Sequence, residues 1–394
     1  MAERGFQPKG RVALICALGI GQIFAWGGSF YLMAVIASPV VSDTGWPFAW
    51  VVGGLSLALF ISACVSPFVG SKIQTFGGRP SLLLSSVVLS AGLCVVAASQ
   101  TLTIFLLGWC VIGIGMAAGL YDAAFATLGV IYGTAARSTI TTLTLVSGFS
   151  STIAWPLSAV LVELWGWRAT CVAYAFIQLL VCLPFYAWAV PPGTISSGRQ
   201  KDDEPQTLEA ASTKFFIVIA CIVSCMEFIS SALSVHVLTV LEAIDFSAMG
   251  AVAVAALIGP SQVAARIIEL MAGGRHHPVW TMAAASSLVL SGLALLLLAP
   301  IAATAAICVF GMGRGLSSVS KGTVPLALFG PQSYARILGR LAMPALLAQA
   351  LAPSATAAIL DIWGVHSLVF TLVSLAGLSA TLGAWLVYTT RFSR

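Results

Sequence analysis

The sequence predicts an all-α membrane protein, with about twelve transmembrane helices in two pseudo-symmetric six-helix bundles. Three observations predict it. Hydrophobic residues make up 59% of the 394 and charged residues 8%, whereas a soluble domain carries roughly 25% charged residues. So few charges cannot clothe a water-facing surface, so most of the chain must face lipid or other helices. The chain also reads twice. Gly113, Gly115, Tyr132 and Gly133 are answered by Gly311, Gly313, Phe329 and Gly330, and Arg137, Pro156 and Gly166 by Arg336, Pro353 and Gly364, at offsets of 197 to 199 residues. Finally, apolar runs long enough to cross a bilayer, about 20 residues each, recur along the whole chain.

These runs span 12–39, 48–70, 81–99, 102–130, 139–162 and 169–190 in the first half. In the second half they span 215–240, 248–272, 279–299, 301–329, 338–360 and 366–389. The first run holds Gln22 and Trp26 and lacks a small-residue cleavage site, so it reads as a retained helix rather than a signal peptide. Turn chemistry separates later runs at Gly77-Gly78-Arg79-Pro80, at Gly273 to Pro278 and at Asp361 to Gly364. The longest polar stretch, Pro191 to Lys214, reads as a flexible linker. The expected organisation is an N-terminal six-helix bundle over 1–190, a cytoplasmic linker over 191–214 and a C-terminal six-helix bundle over 215–394. Two similar halves in an apolar chain are the layout of a two-bundle transporter.

Charge placement orients the chain. With the N terminus in the cytoplasm, fourteen of the 18 basic residues fall in cytoplasmic connections, only Arg168 lies outside, and Arg266, Arg314 and Lys321 lie within spans. The expectation is a multi-pass protein of the inner (plasma) membrane with both termini cytoplasmic. The formal charge of +5 is thus a topology signal, and no nucleic-acid partner is expected. The nine cysteines all lie in apolar runs, without metal-ligand spacing, and read as small buried hydrophobes. No cofactor and no metal site are expected.

The connection Gly70-Ser-Lys-Ile-Gln74-Thr75-Phe-Gly77-Gly78-Arg79 resembles the loop signature of the major facilitator superfamily, Gly-x-x-x-Asp-Arg-x-Gly-Arg-Arg/Lys. Gln74 stands where that family usually has Asp, and Thr75 where it has a basic residue, which puts a charge-based latch in doubt. Two departures count against the family's drug/proton antiporters. The run Trp109-Cys110-Val111-Ile112 lacks their helix 4 arginine, and Pro156 follows Trp155 rather than a glycine. Gly45-Trp46 opening helix 2 and Arg266 in helix 8 resemble the monocarboxylate/oxalate porter-like branch, and the Trp165-Gly166-Trp167-Arg168 turn is similar to a Gly-Trp-Arg turn widespread in the superfamily. The resemblance implies that helices 1, 4, 7 and 10 line a central cavity.

An ionisable group within a span costs ~2.5–3.5 kcal/mol on insertion scales, so each needs a reason. Six stand out: Asp122, Glu227, Arg266, Glu269, Arg314 and Lys321. Their formal charges cancel, and structural pairing competes with function for every one. Gln22 and Trp26, one turn apart, share a face that suits a ligand with a polar head and a flat body. Arg314, flanked by glycines, suits a carboxylate, with a pair to Glu227 or Glu269 as the alternative. Arg266 either binds an anion or pairs with Glu269 on its own helix. Tyr121 is a donor beside Asp122. Expected substrate-binding residues are therefore Gln22, Trp26, Tyr121, Arg266 and Arg314. Asp122 and Lys321 are expected to gate by an ion pair, and Glu227 to couple protons, with Arg266 or Arg314 as its structural partner. His236, about two turns beyond Glu227, is a weaker candidate.

The function expected is secondary active transport of a small solute, an organic anion such as a mono- or dicarboxylate, by alternating access with proton coupling or exchange with a counter-substrate. The partners expected are that solute, protons or a counter-substrate, and the lipid bilayer, with the protein functional as a monomer. No phosphate-binding loop is present to use ATP. The alternatives are an efflux transporter for amphipathic or toxic compounds, and a transporter-like membrane sensor or receptor. A sensor would call for a sizeable soluble segment. An enzyme would call for a nucleophile–base pair or a histidine metal cluster within the spans, and neither pattern is present.

Overall fold

A computed structural model describes residues 8–192, 210–272 and 275–392, and these are helical with no strand among them. Arg4, Arg199, Lys201 and Arg394 of the topology set, residues 193–209 of the expected linker, and Gly273-Gly274 lie outside the described residues. Ala210 to Lys214, expected in the linker, already belong to a helix.

Helices α1 (Pro8–Gly27) and α2 (Phe30–Thr44) make the first crossing, α3 (Phe48–Phe76) the second and α4 (Gly78–Ala98) the third. The fourth is built from α5 (Leu102–Gly119) and α6 (Tyr121–Tyr132), with Leu120 extended between them at φ −77, ψ −168. Helices α7 (Ala136–Ser147), α8 (Ser150–Ile177) and α9 (Leu183–Ala189) follow. The second half holds α10 (Ala210–Glu242), α11 (Ala248–Ala255), α12 (Ile258–Met271), α13 (Pro278–Leu298), α14 (Ala303–Phe329) and α15 (Tyr334–Phe392).

Helix α15 has 59 residues. Unbroken, it would run about 88 Å at 1.5 Å per residue, against a hydrocarbon core of about 30 Å. Gly364 resolves this: at φ 78, ψ 178 it leaves helical geometry and turns the chain. Gly166, its repeat partner, does the same in α8 at φ 80, ψ 170. Both positions need the positive φ that glycine adopts without penalty. Among the described residues, eight helical stretches are apolar and long enough to cross a membrane. Leu102–Ala189 contains three crossings and Tyr334–Arg391 two. Helix α14, whose glycines, serines and Arg314 dilute its apolar content, completes twelve.

Contacts divide the chain into two compact units, Met1–Gly198 with Pro331–Met343, and Arg199–Gly330 with Pro344–Arg394. The first turns of α15 therefore group with the first unit, although they follow the second half in chain order. Within each unit, small residues let backbones touch, the usual basis of helix packing in lipid. A Cβ on Gly113 would lie 2.4 Å from the Ala58 carbonyl oxygen, so α5 and α3 cross at contact distance. The repeat partner Gly311 likewise lies close against α12, where a Cβ would fall 2.9 Å from the Ile258 carbonyl oxygen. The doubled glycines are thus doubled helix crossings.

Candidate functional site

In the first unit the site begins with the break at Leu120. Ending α5 at Gly119 leaves its last carbonyls without the amide partners that a continuing helix would supply. Neighbouring side chains take their place. Gln22, fully buried, donates through Nε2 to the Gly119 carbonyl at 2.6 Å. Ser81 donates to the Ala118 carbonyl at 3.2 Å, and one turn earlier Ser85 adds a bond to the Gly115 carbonyl at 2.8 Å. The other end of the Gln22 amide accepts from Trp26 Nε1 at 3.2 Å. Gln22 therefore holds Trp26 and satisfies the broken helix at once.

Trp26, only partly buried, anchors a group of rings. Its centroid lies 5.2 Å from Tyr121, 5.5 Å from Phe30 and 6.0 Å from Tyr31. Tyr121 stacks on Phe125 at 5.3 Å, and Tyr31 meets Trp155 edge-on at 5.9 Å. The structure thus brings together Gln22, Trp26 and Tyr121, and adds Phe30, Tyr31, Phe125 and Trp155, which sequence reasoning missed. The signal was available in part, because Trp26/Phe30 and Tyr121/Phe125 are i, i+4 pairs that share helix faces. Asp122 lies in the first turn of α6, where the helix dipole favours a carboxylate. It lines a cavity of about 10 Å³, near the threshold for one water, with Ser66, Gly70, Ala335 and Gly339.

The second unit carries the charges. Glu227 on α10 reaches two cations on α14. Its Oε2 lies 3.9 Å from Arg314 Nη1 and its Oε1 lies 3.8 Å from Lys321 Nζ. Arg314 and Lys321 are two turns apart, about 10.5 Å along the axis, and their side chains converge on one carboxylate. All three are largely buried, with side-chain exposures of 22% for Glu227, 28% for Arg314 and 12% for Lys321. Both separations exceed the 2.7–3.2 Å of a good hydrogen bond, so the pairs are electrostatic contacts with room to rearrange. Each is worth about 4 kcal/mol in an effective dielectric of 20, before desolvation. The cluster of two cations and one anion has a formal charge of +1. Arg314 was expected as a partner of Glu227; Lys321 as its second partner was not.

Arg266, 4% exposed, donates through Nη2 to Gln262 at 3.3 Å, with Nε 3.5 Å from the Gly315 carbonyl. Glu269, 8% exposed, accepts from Thr281 at 3.0 Å, and its other oxygen lies 3.3 Å from His276 Nε2. His236 is buried, and its Nε2 has no hydrogen-bond partner among the described residues. No group of three His, Cys, Asp or Glu suited to a metal occurs among the described residues.

Twelve crossings, doubled glycine contacts and buried charges agree with the sequence profile of the Major Facilitator Superfamily, which matches residues 18–320. The chain belongs to the major facilitator superfamily. Two solved structures share the superfamily fold with it. The human organic anion transporter MFSD10 (TETRAN) superposes with a TM-score of 0.76 at 16% identity, covering 96% of this chain and 100% of that one. The E. coli fucose:proton symporter FucP gives 0.70 at 12% identity, covering 94% and 98%. No curated protein sequence matches significantly. The protein is a multi-pass membrane transporter of small solutes rather than an enzyme.

Membership gives meaning to the departure at Gln74. Its Oε1 accepts from the Ala335 backbone amide at 2.9 Å, within the first turn of α15. Where the superfamily usually has a carboxylate, this chain has a neutral side chain that caps an amide in the first turn of a helix. Beside it, Gly70 and Gly339 let the two backbones meet, since a Cβ on Gly70 would lie 2.4 Å from the Ala335 carbonyl oxygen. At this position the contact is a neutral hydrogen bond.

Proposed function

We propose that this superfamily member moves a small organic anion, a mono- or dicarboxylate, by alternating access with proton coupling or anion exchange. The observation that carries the proposal is the single Glu227 carboxylate shared by Arg314 and Lys321. A carboxylate substrate offers those cations the same chemistry as Glu227 does. Protonating Glu227 removes the internal competitor, so proton and anion bind together. A counter-anion that takes its place supports exchange instead. Arg314 is the substrate-binding cation, since its guanidinium can hold a carboxylate bidentately, and Lys321 and Glu227 serve coupling. Arg266 acts as a second anion ligand in the same unit.

In the first unit, Trp26 and Tyr121 supply a surface for the flat or apolar part of a solute, and Gln22 acts through Trp26. Asp122 takes a gating role. The Gly45-Trp46 turn and Arg266 favour the monocarboxylate/oxalate porter-like branch. The fold itself accommodates an organic anion transporter and a proton symporter. The bundles 1–190 and 215–394, joined by 191–214, are the moving bodies, in a monomer of the inner (plasma) membrane with both termini cytoplasmic.

The test is uptake into proteoliposomes of a panel of mono- and dicarboxylates, with and without an inward proton gradient. Accumulation that follows the gradient is expected. In Glu227→Gln, anion exchange should persist while the gradient dependence disappears. Failure of every carboxylate to accumulate or exchange sinks the anion reading. The aromatic group around Trp26 favours one other reading, efflux of amphipathic compounds. Extrusion of hydrophobic cations, with no response to carboxylates, would select it.

A further inference from the structure

The two units end differently at one place in the repeat. In the first unit, the turn at Gly166 drives Trp167 into the protein, where it is 4% exposed. Its indole Nε1 donates to Asp43 at 3.1 Å, and its ring meets Phe105 edge-on at 6.4 Å. Phe105 in turn contacts Trp46 at 5.5 Å. Arg168 lies over the Trp167 ring at 4.2 Å, pairs with Asp43 and donates to the Ser99 carbonyl at 3.2 Å. This end of the first unit is closed by an aromatic plug and a charged clamp.

An offset of 198 residues carries the whole set into the second unit and replaces every member. Trp46, Phe105 and Trp167 become Ile244, Ala303 and Val365, while Asp43, Ser99 and Arg168 become Leu241, Leu297 and His366. The scaffold stays: Gly364 makes the same positive-φ turn as Gly166. With large rings removed and the turn kept, space is left where the plug stood. The structure shows it as a cavity of about 160 Å³, bordered by Ile244, Leu296, Leu297, Val365, Val369 and the exposed His366.

We propose that this cavity is a binding site for small aromatic molecules of about the size of indole, separate from the charged cluster around Glu227. Volume and lining argue for it together. A volume of about 150 Å³ is enough to take up a benzene ring, and the side chain missing relative to the first unit is itself an indole. The His366 imidazole at the border supplies one hydrogen-bonding group, in the register that Arg168 occupies in the first unit. The other bordering side chains are hydrocarbon, so affinity comes from ring contact with them and orientation from the imidazole.

The experiment is a titration of the full-length protein in lipid nanodiscs with indole, followed by saturation-transfer NMR of the indole protons, with 1-hexanol as a non-aromatic probe. Saturable binding of indole, at least tenfold tighter than that of hexanol, is expected. Val365→Trp, which rebuilds the plug from within, should weaken indole binding at least tenfold and raise Tm. Leu297→Phe, a smaller filling, should weaken it several-fold, and His366→Ala by a lesser factor. The proposal is overturned by an absence of saturable indole binding, by equal affinity for hexanol, by unchanged binding in both filled variants, or by a tightly retained lipid that excludes indole.

Discussion

The two units share their helix crossings and differ in how they satisfy their interiors. In the first, the fourth crossing is broken at Leu120, and the freed carbonyls of Ala118 and Gly119 draw neutral donors from Ser81 and Gln22. In the second, α10 and α14 continue without an extended residue between their ends, with Pro325 inside α14, and their polar side chains pair with each other, Glu227 with Arg314 and Lys321. A broken helix calls for hydrogen-bond donors, whereas an intact helix leaves charged side chains available for ions. The same contrast recurs at the Gly166 and Gly364 turns, where one unit packs an indole and the other leaves a cavity.

The contrast can be broken at several points. The largest effect is expected for Arg314→Ala. Removing one partner from a buried ion cluster typically costs ~3–5 kcal/mol, and carboxylate uptake should fall at least a hundredfold. Near-normal uptake in proteoliposomes would show that the charged unit is structural only. Trp167→Ala follows, at ~3–4 kcal/mol by the usual cost of emptying a buried indole site, read as a fall in Tm. Val365→Ala, at the matching position, borders space already and should cost about 1 kcal/mol or less on the same scale. Equal losses would mean that the two ends are packed alike.

Gln22→Leu tests the neutral unit. It strands the Gly119 carbonyl and frees Trp26, at a cost of ~1–3 kcal/mol for a buried polar group left unsatisfied, with altered Trp emission as a second readout. A variant as stable as the parent would show that the break does not need its donor. The smallest effect is expected at Gln74→Ala, about 1 kcal/mol for a lost helix cap. Gln74→Glu should instead match or slightly exceed the parent's stability, because an anion suits a helix N-terminus. Thermal unfolding in detergent at neutral pH distinguishes the two.

Much of the fold was legible because membrane helices announce themselves. Each crossing has to satisfy its own backbone in lipid, so apolar length locates most of them, and the paired glycines Gly113/Gly311 and Gly166/Gly364 marked crossings and turns. The break at Leu120 was not legible, since neither Leu120 nor its neighbours include a proline. The charged residues were legible as costly, and Glu227 with Arg314 stood among the possible pairs. The part of Lys321 was not, because it depends on two side chains from adjacent turns of α14 converging on one residue of α10. The ring group around Trp26 was seen only in its i, i+4 pairs, as Tyr31 and Trp155 reach it from separate helices.

By itself, the sequence determined that this chain crosses the membrane about twelve times, that its halves repeat, and which buried residues bear charge. Those properties follow from local composition, since insertion into lipid is decided segment by segment. Only the tertiary structure decided which carboxylate meets which cation, which carbonyl receives the Gln22 amide, and which unit keeps a cavity. Such choices depend on the rotation and approach of neighbouring helices, set by contacts of a few ångströms at residues far apart in the chain.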